Sequence, residues 1–365
     1  MPDLFDPLTL RGLTLRNRVG ISPMCQYVSE DGFASDWHLV HLASRAVGGA
    51  GLVIAEASGV EARGRITPGC LGIWKDAHIE KLAQVTAAIR ANGAASCMQI
   101  AHAGRKASAT VPWEGDRTLK AGEGAWQTVS SVAKPFDAPG GTLVHTPTAL
   151  DEAGIAEVVA AFAAAARRSV EAGFDMVEIH AAHGYLAHQF MSPLVNDRTD
   201  RWGGDFMGRT RFPMELVRAC RTVLPEAMPL AVRISAVDWA PGGWTLEDSV
   251  VLAEMMKKEG VDLVDCSSGY AVPVEEIPYG PGYQVPFAHR IRSQAGIATA
   301  AVGQIASAGQ ADAIVRKGEA DLVLLATASL HDAYWPFHAA RELGRLKALP
   351  MPASYDYVLR GGMAD

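Results

Sequence analysis

The stretch FDMVEIHAAHGYLAHQF, residues 174–190, decides the fold class that the sequence indicates. Its first part is apolar and β-branched, as in a buried strand, and at His180 the pattern changes to small and polar residues. A lone histidine at a strand end is most often a core or surface residue. Because His183 and Tyr185 follow within five residues, the stretch predicts a strand that delivers chemistry at its carboxyl end.

The same strand-then-helix unit recurs along the chain. The other strands are predicted at residues 18–22, 51–57, 95–101, 230–235, 262–267, 299–303 and 321–326. Helical patterns alternate with them at residues 36–48, 76–91, 151–172, 208–223, 246–259, 287–294, 308–317 and 334–343. Eight such units without a break in composition predict an α/β fold in which residues 1–365 form a single (β/α)8 TIM barrel. A doubly wound sheet is the structural alternative, but no G-x-G-x-x-G motif follows the first strand.

Four segments lie outside this repeat. Residues 8–15 alternate around Arg11-Gly12 and predict an N-terminal hairpin that acts as a plug or lid. Long excursions follow the third and fourth strands, at residues 102–150 and 192–207, which places both on the catalytic face of a barrel. The tail, residues 345–365, is rich in proline and aromatic residues without a periodic pattern, so we expect it to contact a neighbouring subunit.

Composition restricts the function classes. The 365 residues carry a net charge of −7 without a basic run, which argues against a nucleic-acid partner. The five cysteines are scattered and lack C-x-x-C spacing, so the sequence indicates neither a disulfide scaffold nor a thiolate metal cluster and favours the reducing cytoplasm. No export signal and no apolar run of about 18 residues is present, so no membrane span is expected.

In a barrel the strand ends converge on one mouth. The residues at these ends are Ser22, Pro23, Met24, Cys25 and Tyr27; Ala57 and Ser58; Gln99, His102 and Arg105; His180, His183 and Tyr185; Arg233; residues 267–269; Val302 and Gly303; Ala326 and Thr327. An amide, a guanidinium, a thiol and small residues suit an electron-carrying ring better than a hydrolytic site. The glycine-bearing late exits suit a phosphate bound by backbone N–H groups, although tight turns explain small residues equally well.

Three chemistries compete for the two histidines. A metal site is disfavoured because His180-x-x-His183 lacks the H-E-x-x-H pattern and a third ligand. A nucleophilic Cys25 lacks an orienting partner in sequence. Two imidazole N–H donors beside a tyrosine hydroxyl instead suit a carbonyl substrate, because they stabilise negative charge on oxygen and supply a proton. That is the arrangement needed to reduce an activated double bond, and a non-flavin isomerase or lyase using the histidines remains an alternative.

Six motifs, in order along the chain, resemble the old yellow enzymes, the FMN-dependent ene-reductases, in their bacterial xenobiotic-reductase-like branch. The motifs are SPMCQY (22–27), GRITP (64–68) with LGIW (71–74), QIAHAGRK (99–106), HAAHGYL (180–186), NDRTDRWGG (196–204) and AARELG (339–344). The resemblance implies a noncovalent FMN in the barrel mouth, NADPH as its reductant, activated alkenes as substrates and a homodimer or homotetramer.

The resemblance also implies residue roles. The flavin would be surrounded by Ser22, Pro23, Met24, Cys25, Ala57, Gln99, His180 and Arg233, with its phosphate near Val302, Gly303, Ala326 and Thr327. His180 and His183 would hold the substrate carbonyl oxygen, with Tyr27 adding a hydrogen bond. Tyr185 would protonate Cα after hydride reaches Cβ, and Cys25 would tune the redox potential of the flavin. From the tail, Tyr357 would reach a partner's site.

One position departs from the family pattern. Relatives carry Gly-Arg at the end of the eighth strand, where the arginine contacts the FMN phosphate, but this chain has Ala326-Thr327. The phosphate thereby loses a bidentate cation, so we expect weaker FMN retention than is usual. The departure also keeps open a flavin-binding barrel with low turnover.

Overall fold

Eight parallel strands close a barrel in the computed structural model, which describes residues 1–136, 143–273 and 276–359. Its strands are β3 (Val19–Ile21), β4 (Leu52–Gly59), β5 (Ala95–Ala101), β8 (Met176–Ala181), β9 (Leu230–Ser235), β10 (Leu263–Ser267), β11 (Ala298–Ala301) and β12 (Leu322–Leu325). They follow one another in chain order around the barrel, and β12 pairs with β3 to close it. The predicted (β/α)8 barrel is therefore confirmed.

Helices alternate with these strands. They are α1 (Asp36–Val47), α2 (Ile79–Ala91), α3 (Glu152–Glu171), α5 (Phe206–Val223), α6 (Leu246–Lys258), α7 (Val285–Ala295), α8 (Ala308–Arg316) and α10 (Trp335–Glu342). Side-chain oxygens of Asp151, Asp205, Thr245 and Ser307 accept hydrogen bonds from backbone N–H groups in the first turns of α3, α5, α6 and α8, which fixes where those helices begin. No helix in the described residues has the length and apolarity to cross a membrane.

Three short helices are not indicated by the sequence pattern: α4 (Leu186–Met191), α9 (Thr327–His331) and α11 (Ala353–Leu359). Every residue of α4 is buried, so it has no polar face and no amphipathic period. The tail helix α11 lies within the segment that shows no periodic pattern. Strand β11 ends at Ala301, two residues before the predicted end, so Val302 and Gly303 belong to the loop that follows.

The N-terminal hairpin closes the amino-terminal end of the barrel. Its strands β1 (Leu8–Leu10) and β2 (Leu13–Leu15) pair antiparallel, and their leucines pack against the first inward-facing residues of the barrel strands. Arg11 at the turn binds Asp262 with Nε to Oδ1 at 2.9 Å. The hairpin is thus a plug at the end opposite to the predicted site.

The inward-facing residues change character along the barrel axis because alternate positions of each strand point inside. Near the hairpin they are apolar, including Leu52, Met176, Leu263 and Leu322. Closer to the carboxyl ends they are polar and buried, including Gln99, Glu178, Arg233 and Asp265. The polar side chains of the barrel interior are therefore concentrated in its carboxyl-terminal half.

The excursion after β5 lies over the carboxyl ends of the strands. Its described part has 3-10 turns at Gly104–Lys106, Pro112–Glu114 and Ala121–Glu123 and the paired strands β6 (Val129–Ser130) and β7 (Thr148–Ala149). Arg105 anchors it by donating from Nη2 to the carbonyl of Ala271 at 2.7 Å. The second excursion supports the first, because Arg198 donates to the carbonyls of Ser131 and Leu150, each at 2.7 Å.

Candidate active site

A cavity of about 950 Å³ opens at the carboxyl ends of the barrel strands. Eight of the residues proposed from sequence line it: Tyr27, His183, Tyr185, Arg233, Val302, Gly303, Ala326 and Thr327. Ser22, Ala57, Gln99 and His180 are buried in the barrel around it, and Pro23, Met24 and Cys25 form the partly buried loop after β3. The first excursion contributes Lys106, Pro112, Asp116 and Phe136 to the walls. Of the described residues, none from 192–207 lines the cavity, although that excursion also follows a strand.

His180 and His183 are linked to each other at the end of β8. The backbone N–H of Ala182 donates to His180 Nδ1 at 3.3 Å, which leaves the proton of a neutral His180 on Nε2. His180 Nε2 lies 3.3 Å from His183 Nδ1, and His183 Nε2 lies 2.6 Å from Ser267 Oγ. Hydrogen bonding therefore assigns an Nε2–H tautomer to both rings, so each presents one N–H donor.

Both imidazoles are held neutral. Burial, reinforced by the positive charge of Arg233, lowers the pKa of His180 well below its ordinary value. Burial and Arg233 also lower the pKa of His183, to which neighbouring His180 contributes further. At neutral pH the two rings are consequently hydrogen-bond donors without net charge. They can bind a developing oxyanion without acting as general acids.

Tyr185 lies beside the two histidines at the start of α4. Its ring centroid is 5.0 Å from that of His180 and 6.4 Å from that of His183. Burial, followed by the nearby thiol of Cys25, raises the pKa of Tyr185 well above its ordinary value. The phenol therefore keeps its proton at neutral pH and can release it only to a strongly basic atom, such as a carbanion that forms during reaction.

The turn that carries His183 and Tyr185 has a strained backbone. His183 has a φ of 58° and Gly184 a φ of 69°, both in the left-handed region. A Cβ on Gly184 would approach the carbonyl oxygen of Tyr270 to 2.0 Å, so only glycine fits. Lys106 Nζ donates to the carbonyls of His183 and Tyr270 at 2.9 and 2.7 Å, which fixes the turn against the loop after β10.

A buried hydrogen bond between a histidine and an aspartate supports this turn from below, and the sequence reasoning missed it. His188 accepts from the N–H of Gly184 at 2.9 Å through Nδ1, and its Nε2 lies 2.8 Å from Asp238 Oδ1. The other oxygen of Asp238 accepts from Ser192 Oγ and from the N–H of Trp244, at 2.6 and 2.8 Å. A histidine on an otherwise apolar short helix was the available signal, but its aspartate lies 50 residues away in sequence.

Cys25 and Tyr27 lie in the loop that follows β3. Tyr27 has a left-handed φ of 56° and packs edge-on against Trp113 with ring centroids 5.9 Å apart. Burial, followed by the carboxylate of Glu56, raises the pKa of Cys25 well above its ordinary value, so its thiol is not a ready nucleophile. Glu56 accepts from the N–H of Gln26 at 3.0 Å and lies 3.1 Å from His38 Nε2, which anchors the loop.

Gln99 and Arg233 point into the barrel beneath the cavity. Gln99 Nε2 donates to Glu178 Oε1 at 2.8 Å. Arg233 Nε lies 3.1 Å from Asp265 Oδ2, and its Nη1 donates to Ser22 Oγ at 3.4 Å. The sequence identified the amide and the guanidinium but missed both carboxylates, because each occupies an inward position of a strand that is otherwise apolar.

The wall formed after β11 and β12 is made mostly of small residues. Val302, Gly303, Ala306, Ala326 and Ala328 line it together with Thr327 and His331. Gln284, also missed from sequence, joins two strand exits by accepting from Ser268 Oγ at 2.7 Å and donating to the carbonyl of Val302 at 3.1 Å. Tyr357 on α11 is 75% exposed and does not line the cavity of its own chain, so its assignment to a partner's site stays a prediction.

Comparison with known proteins identifies the class of enzyme. Residues 3–345 match the model of the NADH:flavin oxidoreductase / NADH oxidase family. The chain belongs to this family. It is 46% identical over 343 residues to an NADPH dehydrogenase of Geobacillus sp. (strain WCH70), covering 93% of this chain and 94% of the relative. The NADPH dehydrogenase of Bacillus subtilis (strain 168) is 42% identical, with 97% and 98% covered.

The barrel of this flavin oxidoreductase is also similar to a solved structure of morphinone reductase in complex with tetrahydroNAD. The TM-score is 0.78 at 27% sequence identity, and the match covers 98% of this chain and 94% of the other. The resemblance to the old yellow enzymes predicted from sequence is confirmed. The cofactor that the family implies is FMN.

Proposed function

We propose that this flavin oxidoreductase reduces the activated C=C bond of α,β-unsaturated carbonyl compounds. The observation that carries the proposal is the clustering of two neutral histidines and a protonated tyrosine at the end of β8, where His183 and Tyr185 line the cavity and His180 lies behind them. Donors that remain uncharged stabilise negative charge on a carbonyl oxygen without protonating it. Reduction of an enone needs that stabilisation together with a separate proton donor.

The residues around the cavity fit FMN. The cavity volume of about 950 Å³ is at the upper end of small-molecule sites, as an extended cofactor together with a substrate requires. Gln99 and Arg233 supply amide and guanidinium groups for the polar edge of the flavin, and Gly303 and Ala326 let backbone approach its phosphate. When bound, FMN takes hydride from the nicotinamide reductant and supplies it to the alkene.

His180 and His183 would bind the substrate carbonyl oxygen. The N–H groups that now face His183 Nδ1 and Ser267 Oγ would turn to that oxygen, which becomes more negative as hydride arrives at Cβ. The donation therefore strengthens in the transition state rather than in the ground state, which is what raises turnover. Tyr27, which also lines the cavity, would add a further hydrogen bond.

Tyr185 would deliver the proton to Cα. The raised pKa of its phenol keeps the proton available at neutral pH. Lys106 Nζ lies 5.8 Å from the centroid of the Tyr185 ring, and a cation near the ring favours the phenolate that proton transfer leaves behind. Cys25, a neutral thiol in the same loop as Tyr27, would tune the redox potential of the flavin instead of reacting covalently.

NADPH would serve as the reductant, which the relatives named NADPH dehydrogenase support. It would occupy the same cavity before the alkene and leave as NADP⁺, so the kinetics would be ping-pong. We further propose that residues 1–365 act as one FMN-binding barrel domain and that the tail meets a second copy in a homodimer or homotetramer. The exposed ring of Tyr357 is available for such a contact.

One spectroscopic experiment tests the proposal. Purified protein is examined by visible absorbance, then titrated anaerobically with NADPH, and then mixed with 2-cyclohexenone. We expect a yellow protein that bleaches with NADPH and recovers its colour with the enone. A colourless protein that FMN cannot reconstitute would favour an isomerase or lyase, and a yellow protein that the enone does not reoxidise would favour a flavin-binding barrel with low turnover.

A further inference from the structure

Behind Gln99 and Arg233 lies a buried pair of acidic residues. Glu178 on β8 is in register with Gln99 on β5, and Asp265 on β10 is in register with Arg233 on β9. All four side chains point into the barrel, and the two carboxylates are at most 1% exposed. Each residue that would contact the cofactor's polar edge is therefore backed by its own carboxylate.

The charges of this cluster do not balance if both carboxylates are ionised. Two negative charges would face the single positive charge of Arg233 in the barrel interior. On the remaining strands, inward-facing residues such as Leu52, Ile54, Ala300, Leu322 and Leu324 carry no charge. Glu56, farther along β4, is bound by His38 and by the N–H of Gln26. A buried net charge of −1 is costly, and holding one proton removes it.

Other titratable groups near the pair do not supply the missing positive charge. On β5, burial followed by Glu178 raises the pKa of Cys97 well above its usual value, so the thiol is neutral. On β8, His180 is also neutral because burial and Arg233 lower its pKa. Lys106 and His183 lie farther out at the cavity, where Lys106 binds backbone carbonyls.

Hydrogen bonding points the same way. The ion pair between Arg233 Nε and Asp265 Oδ2 is not aligned as a hydrogen bond, and neither oxygen of Asp265 accepts one within the described residues. Of the two Glu178 oxygens, Oε1 accepts from Gln99. A carboxylate without a donor in the interior is strongly disfavoured, and a proton on one of the two acids removes that charge.

We propose that Glu178 and Asp265 together hold one proton at neutral pH and act as a positioning pair for Gln99 and Arg233, through which the redox potential of the bound flavin becomes more strongly dependent on pH. Burial, followed by the charge of Asp265, raises the pKa of Glu178 to about 8, and burial raises the pKa of Asp265 as well. The proposal rests on the FMN site proposed above. It adds two residues that touch neither FMN nor substrate but control the residues that do.

The sign of the effect follows from the charge of the cluster. Below about pH 8 the pair keeps its proton, and Arg233 with the remaining carboxylate is neutral overall. Above it the cluster carries −1 directly behind the edge of the flavin on which reduction places negative charge. The redox potential should therefore fall more steeply with rising pH than the flavin's own protonation accounts for.

The experiment measures the midpoint potential of the bound flavin from pH 6 to 9.5 in the wild type, Glu178→Gln and Glu61→Gln. We expect the wild type and Glu178→Gln to agree at pH 6 and to diverge above pH 8, with the wild type at the lower potential. Glu61→Gln is the matched control, because the hydrogen bonds of His102 and Arg63 overcome its desolvation and hold the pKa of Glu61 at about 2. Removing that constant charge should not change the shape of the curve.

The positioning role is measured separately as affinity of the apoprotein for FMN. Glu178→Gln keeps an oxygen that accepts from Gln99 and should bind FMN within about twofold of the wild type. Glu178→Leu loses that acceptor and should bind about tenfold more weakly, as expected for one lost buried hydrogen bond.

Two results would overturn the inference: potential curves of wild type and Glu178→Gln that stay parallel over the whole range, or equal FMN affinity of the leucine variant and the wild type. If Glu178→Leu fails to fold, the comparison of midpoint potentials between the wild type and Glu178→Gln still tests the inference. A wild type that binds no FMN would refute the proposed function instead, and the two failures are thus distinguishable.

Discussion

The two ends of the barrel differ although the same strands build both. At the amino-terminal end, leucines of the hairpin and of the first inward positions form an apolar plug. At the carboxyl end, the later inward-facing positions of these strands hold Gln99, His180, Arg233 and Ser267. One end therefore contributes stability and the other chemistry, which is how a barrel can vary its reaction without losing its fold. Substitutions at the two ends should separate these contributions.

The largest effect should come from Tyr185→Phe at the carboxyl end. The change removes the proposed proton donor while keeping the ring beside His180. We expect the turnover number for 2-cyclohexenone to fall about 10²- to 10⁴-fold, the range typical for loss of a general acid. Flavin content and the rate of reduction by NADPH, measured by stopped-flow absorbance, should remain those of the wild type.

Tyr279→Phe is the control for this prediction. Tyr279 also lines the cavity, but its hydroxyl pairs with that of Tyr270 at 2.8 Å and not with a histidine. The turnover number of Tyr279→Phe for 2-cyclohexenone should change by less than about tenfold. Equal losses in both variants would mean that any hydroxyl at the mouth matters, and full activity of Tyr185→Phe would reject its assigned role.

At the opposite end, Leu15→Ala should reduce stability and leave chemistry unchanged. Leu15 is fully buried in the plug, and its truncation leaves a cavity that typically costs about 3 kcal/mol in the free energy of unfolding. Urea unfolding measures the loss, and kcat per bound flavin should equal that of the wild type. Val40→Ala, at a position 60% exposed on α1, should change stability by less than about 0.5 kcal/mol. A large fall in kcat for Leu15→Ala would show that the two ends are coupled.

The difference between the ends also explains what the sequence could predict. Strands β5 and β9 agree with their predicted bounds at both ends, because continuous apolar runs followed by a polar exit have a clear pattern. Tyr27, His183, Tyr185 and Arg233 were recognised for the same reason: they follow or interrupt such runs and line the cavity.

Residues that act through partners distant in sequence could not be found in this way. Glu178 is a single acidic residue in a mostly apolar strand. Its proposed role depends on the hydrogen bond from Gln99, which lies 79 residues earlier. The pairing of His188 with Asp238 likewise exists only after β8 and β9 lie side by side. The short helix α4 escaped prediction because all of its residues are buried. Tertiary contacts, rather than local pattern, determine these features.

Between the two ends, Glu178→Gln should stabilise the apoprotein in alkaline solution. The folded-state pKa of Glu178 is raised from 4.5 to about 8, so the unfolded chain releases this proton at lower pH than the folded chain. Wild-type stability should therefore fall as pH rises from about 5 to 8, and the glutamine variant should lack this contribution. We expect the variant to gain on the order of 5 kcal/mol over the wild type at pH 9 and little near pH 4, by urea unfolding. A stability difference that is the same at every pH would contradict the proposal that Glu178 and Asp265 together hold one proton.

The smallest effect should appear at the wall after β12, where the carboxyl end departs most from the family pattern. Thr327→Arg restores the cation that relatives place beside the FMN phosphate, and Thr327 is exposed to the cavity, so the longer side chain has room. We expect about tenfold tighter FMN binding, because a guanidinium makes charge-assisted hydrogen bonds to phosphate that a hydroxyl cannot match. Riboflavin, which lacks the phosphate, serves as the control ligand in the same fluorescence titration and should bind both proteins equally. Tighter binding of both ligands would assign the gain to packing around the ring system, whereas unchanged FMN affinity would mean that the backbone after β11 and the imidazole of His331 already satisfy the phosphate.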